Sequence, residues 1–422
     1  MSRATRPGRT LTGAALLLAV AATCGAAITP EVSAFATLPL HTDGVVLDAA
    51  GDPVPVPVGG DVQDDPERRL AQDAWLASGT VPGPDAYAAL AERALRDLDL
   101  LVLADGAALA GVSARWRYVW PRDASFTAVA LTRTGHPDDA LRVLDYLRRM
   151  QDETSTDGVF AARYLPDGSG DVPDGRGPQL DGNGWVLWAV AEWYAGARPG
   201  GARDAALAGL SPLVERSVDA IRAQVDPRTG LPGVYADYWE VREQVPTLGT
   251  LAPLLLGARA IGPVLDALGL DPVDDVVRLL EAGQREFAPD YPRRHGGATT
   301  DTAVAFLMPP FAPLDPQVQA AWLAAAPTMT RSGGGLAPGS DWKPDGISWT
   351  PSTAVFALTA AASGDVDQAT DRLDWLAEHT TPRGSLPEKV LWDGSPASAA
   401  PLAWTASLVL LTLDELDRQG AG

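Results

Sequence analysis

Residues 237–243, Asp-Tyr-Trp-Glu-Val-Arg-Glu, place three carboxylates, one guanidinium and two large aromatic rings in one short stretch. An aromatic ring beside a carboxyl group can stack on the face of a sugar, and by excluding water it favours the protonated carboxyl group. A carboxyl group in such surroundings can act as a general acid near neutral pH. A charged loop with one core tryptophan has the same composition, so the stretch alone leaves both interpretations open.

The charge balance narrows the classes of partner. The 422 residues contain 33 Lys and Arg against 54 Asp and Glu, which gives a formal net charge of −21. Such an acidic chain argues against nucleic acid or an anionic membrane surface as partner and suits a neutral substrate. The four histidines lie far apart in sequence and the single cysteine is Cys24, so neither a histidine-rich nor a thiolate metal site is expected.

An acidic run at 167–174 could be taken for a calcium loop. It lacks the bidentate glutamate that such loops carry at their twelfth position, where this chain has Pro178. We therefore favour a flexible rim loop, with calcium as the lesser alternative.

The first 36 residues predict an export signal. Arg3, Arg6 and Arg9 precede an apolar run over residues 11–28, and residues 34–36 read Ala-Phe-Ala, which suits a signal peptidase. We therefore expect a secreted or cell-surface protein. The apolar run is also just long enough for an uncleaved membrane anchor, so cleavage and anchoring both stay open.

The rest of the chain predicts an all-α fold. Residues 37–82 are predicted to be an extended lead-in, and residues 83–422 a single catalytic domain in which apolar residues recur at helical spacing. Helices with long uncharged runs alternate with helices that carry a charged stripe, which is the pattern of inner and outer helices. This alternation predicts an (α/α)6 toroid of six helical hairpins. A solenoid is the alternative, but no fixed repeat period supports it. The twelve predicted helices span about 85–103, 124–134, 137–150, 184–197, 203–225, 248–268, 272–287, 302–308, 316–325, 351–362, 366–379 and 402–418. An interruption of the fifth is expected at Pro212, and a kink or break of the sixth at Pro263.

In such a ring, every connection from an outer to an inner helix emerges at the same end. These connections are the long ones and hold most of the tryptophans, and long loops in a compact domain are usually functional. Trp, Arg, Asp, Glu and Asn gathered on one face suit a neutral polyol, because rings stack on sugars and the polar groups bind hydroxyls. The face therefore predicts a carbohydrate site.

Five segments on this face together resemble the glucoamylase family of glycoside hydrolases, family 15. Residues 118–123 look like its Y-x-W-x-R-D segment, residues 179–185 like its Q-x-D-x-x-G segment, and residues 239–242 like its W-E-x-R segment. Residues 386–388 and 401–404 resemble its late P-E-Q and P-L-A-W segments. The resemblance runs from about Tyr87 to Leu413.

The resemblance implies an inverting, exo-acting hydrolase that releases β-glucose from α-glucosides, without a cofactor. Glu240 matches the general acid and Glu388 the general base, which the inverting mechanism places about 6.5–9.5 Å apart. A neutral α-glucan or α-glucoside is the expected partner, and we expect a monomer. The substrate-binding residues that the resemblance implies, or that flank the acid, are Trp120, Arg122, Asp123, Asp181, Trp239, Arg242, Glu243 and Trp404.

The chain also departs from the family pattern. Lys389 follows Glu388 where the family has Gln, and Thr405 follows Trp404 where it has Ser. The loop after the ninth helix lacks the family's arginine, for which Lys343 or Arg294 could substitute. These differences leave linkage and chain-length preference open. A trehalase or dextran and isomalto specificity, a phosphorylase, and a non-catalytic carbohydrate-binding surface protein are the alternatives.

Overall fold

The computed structural model describes residues 35–62 and 65–420, with the side chains of 153 and 154 excepted. The predicted signal segment lies almost wholly outside the described residues. In chain order the α-helices are α1 (Pro66–Ser78), α2 (Ala88–Leu101), α3 (Pro121–Arg133), α4 (Pro137–Thr154), α5 (Asp181–Gly196), α6 (Gly201–Gly209), α7 (Ser211–Gln224), α8 (Leu248–Ala260), α9 (Gly262–Leu268), α10 (Asp274–Arg285), α11 (Pro316–Met329), α12 (Thr350–Ala362), α13 (Val366–Glu378) and α14 (Ala403–Arg418). Short 3₁₀ helices span Asp85–Tyr87 and Thr302–Leu307.

The inner helices form a closed ring. Helices α3, α5 and α8, the 3₁₀ helix Thr302–Leu307, α12 and α14 each contact the next, and α14 contacts α3 again. Their sequences explain the position: every residue of α12 from Thr350 to Ala361 is buried, as expected for a helix without a charged face.

The outer helices carry one apolar stripe each. Helix α10 buries only Val276, Leu280 and Gly283, while its aspartates and arginines stay at the surface. Helices α2, α4, α7, α10, α11 and α13 pack against the inner ring, and α4 and α13 each contact two inner helices. Six hairpins thus close into a toroid, and the predicted (α/α)6 architecture is confirmed.

Two long predicted helices are broken in the structure at the prolines where a break is expected, in both cases just before a proline at the second position of the next helix. Residues 203–225 form α6 and α7, with the break at Leu210, and residues 248–268 form α8 and α9, with a bend of 47° at Ile261. Proline favours the first turn of a helix because it has no N–H to donate. The predicted eighth helix is a 3₁₀ helix.

The lead-in is only partly extended. Strands β1 (Gly44–Leu47) and β2 (Pro53–Val56) form an antiparallel hairpin, but α1 follows and was not predicted. Helix α1 buries none of its residues, so it lacks the apolar stripe by which helices were recognised. Its start signals were present: Asp65 accepts from the N–H of Arg68, and Pro66 opens the helix.

A small sheet supports the predicted base. Strands β3 (Ser348–Trp349), β4 (Lys389–Val390) and β5 (Pro396–Ala397) pair antiparallel, with Trp349 opposite Lys389. Strand β4 begins directly after Glu388, so the sheet fixes the backbone there.

Among the described residues, no single helix has the length and apolar character of a membrane span. The bent pair α8 and α9 would pass together on length and composition alone, and most of α8 is buried in the ring.

Candidate active site

A pocket opens at the end of the ring where α3, α12 and α14 begin. Its volume is about 120 Å³, and its walls come from the connections that lead from outer to inner helices. Seven of the ten predicted site residues line it: Trp120, Arg122, Asp123, Trp239, Glu240, Glu388 and Trp404. Residues far apart in the sequence therefore meet as the topology requires.

Glu240 lies on a sharp turn in the pocket wall. Its backbone N–H donates to the carbonyl of Asp237 at 2.8 Å, and its φ is 55°, a left-handed value uncommon for a glutamate. The side chain is 20% exposed. Its Oε1 accepts from the indole N–H of Trp120 at 2.5 Å, and its Oε2 pairs with the guanidinium of Arg176. Both oxygens of the predicted acid are therefore held in a defined orientation.

A buried arginine fixes the segment around Glu240. The fully buried guanidinium of Arg293 lies 2.9 Å from Asp237, 2.7 Å from Glu243 and 3.9 Å from the ring centre of Trp239. Burial by itself lowers the pKa of Arg293, but Asp237 and Glu243 more than reverse this, so the pKa is raised. Arg293 thus holds residues on both sides of Glu240 at once.

Tyr238 is oriented by a carboxyl group behind the pocket. Its hydroxyl donates to Asp301 Oδ1 at 2.6 Å. Burial raises the pKa of Asp301 to about 7, and nearby Asp237 adds to this while Arg293 opposes it. Burial also raises the pKa of Tyr238, so its phenol keeps the proton it donates to Asp301.

Glu388 is buried at the residue directly before strand β4. Its backbone N–H donates to the carbonyl of Ala399 at 2.8 Å, and its own carbonyl accepts from the N–H of Thr350 at 3.0 Å. Its Oε2 accepts from the hydroxyl of Ser398 at 2.5 Å and lies 3.2 Å from the ammonium of Lys389. Since both contacts fall on Oε2, Oε1 remains to accept a proton.

Arg122 and Asp123 form the floor with Trp404. The guanidinium of Arg122 lies 4.9 Å from the ring centre of Trp404, 3.3 Å from Asp123 and 3.5 Å from Asp181. Burial raises the pKa of Asp123 to about 6, although Arg122 lowers it and Glu240 adds to the rise. Burial likewise raises the pKa of Asp181 to about 6 against the effect of Arg122.

Several polar atoms around the pocket lack a hydrogen-bond partner among the described residues. They are Arg122 Nε, Asp123 Oδ2 and the indole nitrogens of Trp239, Trp349 and Trp404. Buried polar atoms of this kind can pair with ordered water or with a ligand. Four donors and one acceptor beside aromatic rings suit a ligand rich in hydroxyl groups.

Three predicted substrate-binding residues do not line the pocket. Asp181 is buried behind Arg122, which it supports. Glu243 turns away to Arg293 and Arg294, each at 2.7 Å; burial would raise its pKa, but the two arginines lower it. Arg242 is exposed. The carboxylate of Glu243 is paired with two guanidinium groups, and its role in substrate binding stays a prediction.

The suggested substitutes for the family's arginine also lie elsewhere. Arg294 pairs with Glu243 and lies 3.6 Å from Asp341, and Lys343 lies 5.5 Å from the ring centre of Trp342. Neither lines the pocket. The cations that contact the two glutamates are Arg176 and Lys389.

Sequence reasoning did not assign roles to Tyr238, Trp349, Arg176 or Ser398. Tyr238 and Trp349 stand in the aromatic loops already identified, so their composition was a usable signal. Arg176 lies in a Gly- and Asp-rich run without a motif, and Ser398 in a run of small residues. Nothing in the local sequence of these two indicates a contact with a glutamate.

A larger cavity, of about 730 Å³, lies between the β1–β2 hairpin, α1 and α2. Val46, Trp75 and Leu100 are among the residues that line it, and none of the predicted site residues does.

No family model matches this chain. It is 28% identical over 338 residues to isomaltose glucohydrolase from Kribbella flavida, a match that covers 71% of this chain and 84% of the relative.

Solved structures match more of the chain. A variant glycosidase in complex with glucose has a TM-score of 0.64 at 22% identity and covers 84% of this chain and 99% of its own. A glucoamylase from Saccharomycopsis fibuligera has a TM-score of 0.61 at 12% identity and covers 75% of this chain and 90% of its own. The fold is that of the glucoamylases. At these identities the structural likeness establishes the fold, and the chemistry has to be argued from the pocket.

Proposed function

We propose that this protein is an exo-acting glycoside hydrolase that cleaves α-glucosidic bonds with inversion and releases β-glucose. The observation that carries the proposal is that Glu240 and Glu388 line the same pocket, each held by its own set of donors. The aromatic and polar lining provides a place for a sugar between them. Similarity to an isomaltose glucohydrolase and to glycosidase structures supports the same class of reaction.

We propose a separate role for each carboxyl oxygen, and the contacts support this proposal. Trp120 donates to Glu240 Oε1, so Oε2 is the oxygen that carries the proton to the glycosidic oxygen. Ser398 and Lys389 occupy Glu388 Oε2, so Oε1 takes the proton from water. As the water oxygen bonds to the anomeric carbon, the bond to the leaving oxygen breaks, and Glu240 supplies the proton that the leaving oxygen needs.

Arg122 and Asp123 would hold the hydroxyls of the sugar that is released. They adjoin each other at the start of α3, and their unsatisfied Nε and Oδ2 atoms provide one donor and one acceptor. Trp120, Trp239 and Trp404 would line the sugar's apolar faces. We propose isomaltose as the first substrate to test, since the relative from Kribbella flavida is named for it.

Glucose release from isomaltose, maltooligosaccharides, dextran and trehalose tests the proposal. Glu240→Gln and Glu388→Gln should each lower turnover by about 10²–10⁴-fold, because each removes a proton-transfer group. Glu286→Gln, at a glutamate whose side chain is 56% exposed, is the matched control and should keep wild-type turnover. A chain that bound these sugars but released no glucose would instead be a non-catalytic carbohydrate-binding protein.

We also propose that the protein is exported and acts as a monomer. The basic and apolar character of the first 36 residues supports export. Fractionation of cells that produce the full chain would place it outside the cytoplasm, and light scattering would give the mass of one chain.

A further inference from the structure

The contact between Arg176 and Glu240 has no part in the proposed chemistry. Arg176 lies in the connection between α4 and α5, and its guanidinium pairs with Glu240 Oε2. It also lies 3.2 Å from Asp174, which in turn pairs with Arg163. The guanidinium of Arg163 lies 4.9 Å from the ring centre of Trp120. The connection is thus tied to the pocket wall through two arginines and one aspartate.

This contact competes with the function of the acid. A guanidinium has only N–H donors, so it binds Oε2 as an ionised oxygen. Trp120 already donates to Oε1, which leaves Oε2 as the oxygen that must carry the proton when the leaving group departs. The ion pair with Arg176 and the protonated acid therefore exclude each other, and Arg176 has to leave Oε2 before the bond is cleaved.

The position of Arg176 indicates what it binds instead. A general acid faces the glycosidic oxygen. A group that contacts Glu240 Oε2, the oxygen proposed to carry the proton, therefore lies next to the leaving sugar. Arg176 is flanked by Gly175 and Gly177, and neither glycine has a neighbouring atom within 4 Å of its would-be Cβ. The side chain of Arg176 is 36% exposed and lies beside Glu240, at the edge of the pocket and not among the residues that line it.

We propose that Arg176 determines specificity for the leaving-group sugar: it releases Glu240 Oε2 when the substrate binds and donates to hydroxyls of the sugar beyond the scissile bond. This inference rests on the proposed function. Lys389 contacts only Oε2 of Glu388 and lies 4.3 Å from the ring centre of Trp349, so it leaves Oε1 clear and the proposed reaction does not require it to move. The ligand is neutral and rich in hydroxyl groups, and a charged donor provides a strong hydrogen bond to it.

The test compares a substrate that has a leaving sugar with one that has none. Arg176→Gln should lower kcat/KM for the best disaccharide about 10- to 100-fold, since hydrogen bonds from charged groups contribute this much. The leaving group of α-glucosyl fluoride is fluoride and not a sugar, so kcat/KM of the variant for this substrate should stay within about two-fold of wild type. Arg176→Lys should recover part of the loss on the disaccharide. Arg228→Gln, at an arginine that is 87% exposed in a turn, is the matched control for both substrates.

Two results would overturn the inference while the proposed function stands. One is an equal loss on both substrates, which would give Arg176 a role in holding the site together. The other is wild-type kinetics of Arg176→Gln on the disaccharide. A wild-type protein that hydrolyses neither substrate would instead refute the proposed function itself.

Discussion

The indole N–H of Trp120 donates to Glu240 Oε1 at 2.5 Å, across 120 residues of sequence. The bond joins the start of α3 to the turn before α8, so it connects two hairpins of the ring at the predicted acid. It also distinguishes the two oxygens of Glu240, because only Oε2 is left to carry a proton.

Loss of this donor should slow the reaction with little effect on binding. Trp120→Phe keeps an aromatic ring in the pocket wall and removes the N–H, so kcat should fall about 10- to 100-fold with a small change in KM. Trp75→Phe is the control: its N–H donates from α1 to Asp139 of α4 at 2.7 Å, and kcat should be unchanged because neither residue lines the pocket. Steady-state kinetics on the best substrate give kcat and KM of both variants. An unchanged kcat of Trp120→Phe would contradict the proposal that Oε2 of Glu240 carries the proton.

Ser398 should affect turnover only through the hydrogen bond from its hydroxyl to Glu388. Its φ is 67°, so glycine adopts the same backbone without strain, and Ser398→Gly removes only the donor to Glu388 Oε2. We expect kcat to fall about 10-fold while the melting temperature changes little. Ser395→Gly, at an exposed serine three residues earlier, should keep wild-type kcat. If both glycine variants behaved alike, the hydroxyl of Ser398 would have no role in orienting the base.

Arg293 should be essential for stability. Arg293→Met would leave Asp237, Glu243 and Asp301 buried without their shared cation, and removing one partner of a buried pair costs about 3–5 kcal/mol. Arg294→Met removes a half-exposed partner of Glu243 and should cost about 1 kcal/mol or less. Urea unfolding gives both values. Equal losses would show that the buried cluster does not depend on Arg293.

Asp301 should make stability depend on pH. Its pKa is about 7 in the folded protein against an ordinary 3.8, so between these values the folded state binds the proton more tightly than the unfolded state. Its contribution is therefore fully present below pH 3.8 and is lost as the pH rises through 7, by on the order of a few kcal/mol. Asp301→Asn keeps an oxygen for Tyr238 and cannot titrate. Wild type should lose stability relative to this variant from pH 4 to pH 8, whereas a constant difference would refute the raised pKa.

The sequence predicted the ring because burial is encoded in simple patterns. Helix α12 is uncharged throughout and lies inside, whereas α10 alternates apolar and charged residues and lies outside. The order of the hairpins then placed Glu240 and Glu388 at one end of the toroid, 148 residues apart in the sequence. Helix α1 buries none of its residues, so the spacing of apolar residues does not predict it.

The contacts within the site could not be predicted, since they depend on side-chain direction. Arg242 and Glu243 are neighbours in sequence, yet one is exposed and the other is buried against Arg293 and Arg294. Arg176 reaches Glu240 from a loop without a motif. Which cation meets which carboxylate is decided by the three-dimensional path of these loops and not by spacing along the chain.

The stereochemistry of the released glucose tests the central claim most directly. Proton NMR recorded in the first minutes of hydrolysis, before mutarotation, distinguishes the anomers. If Glu240 acts as acid and Glu388 activates water on the opposite face, the first product is β-glucose. Initial release of α-glucose would contradict this account.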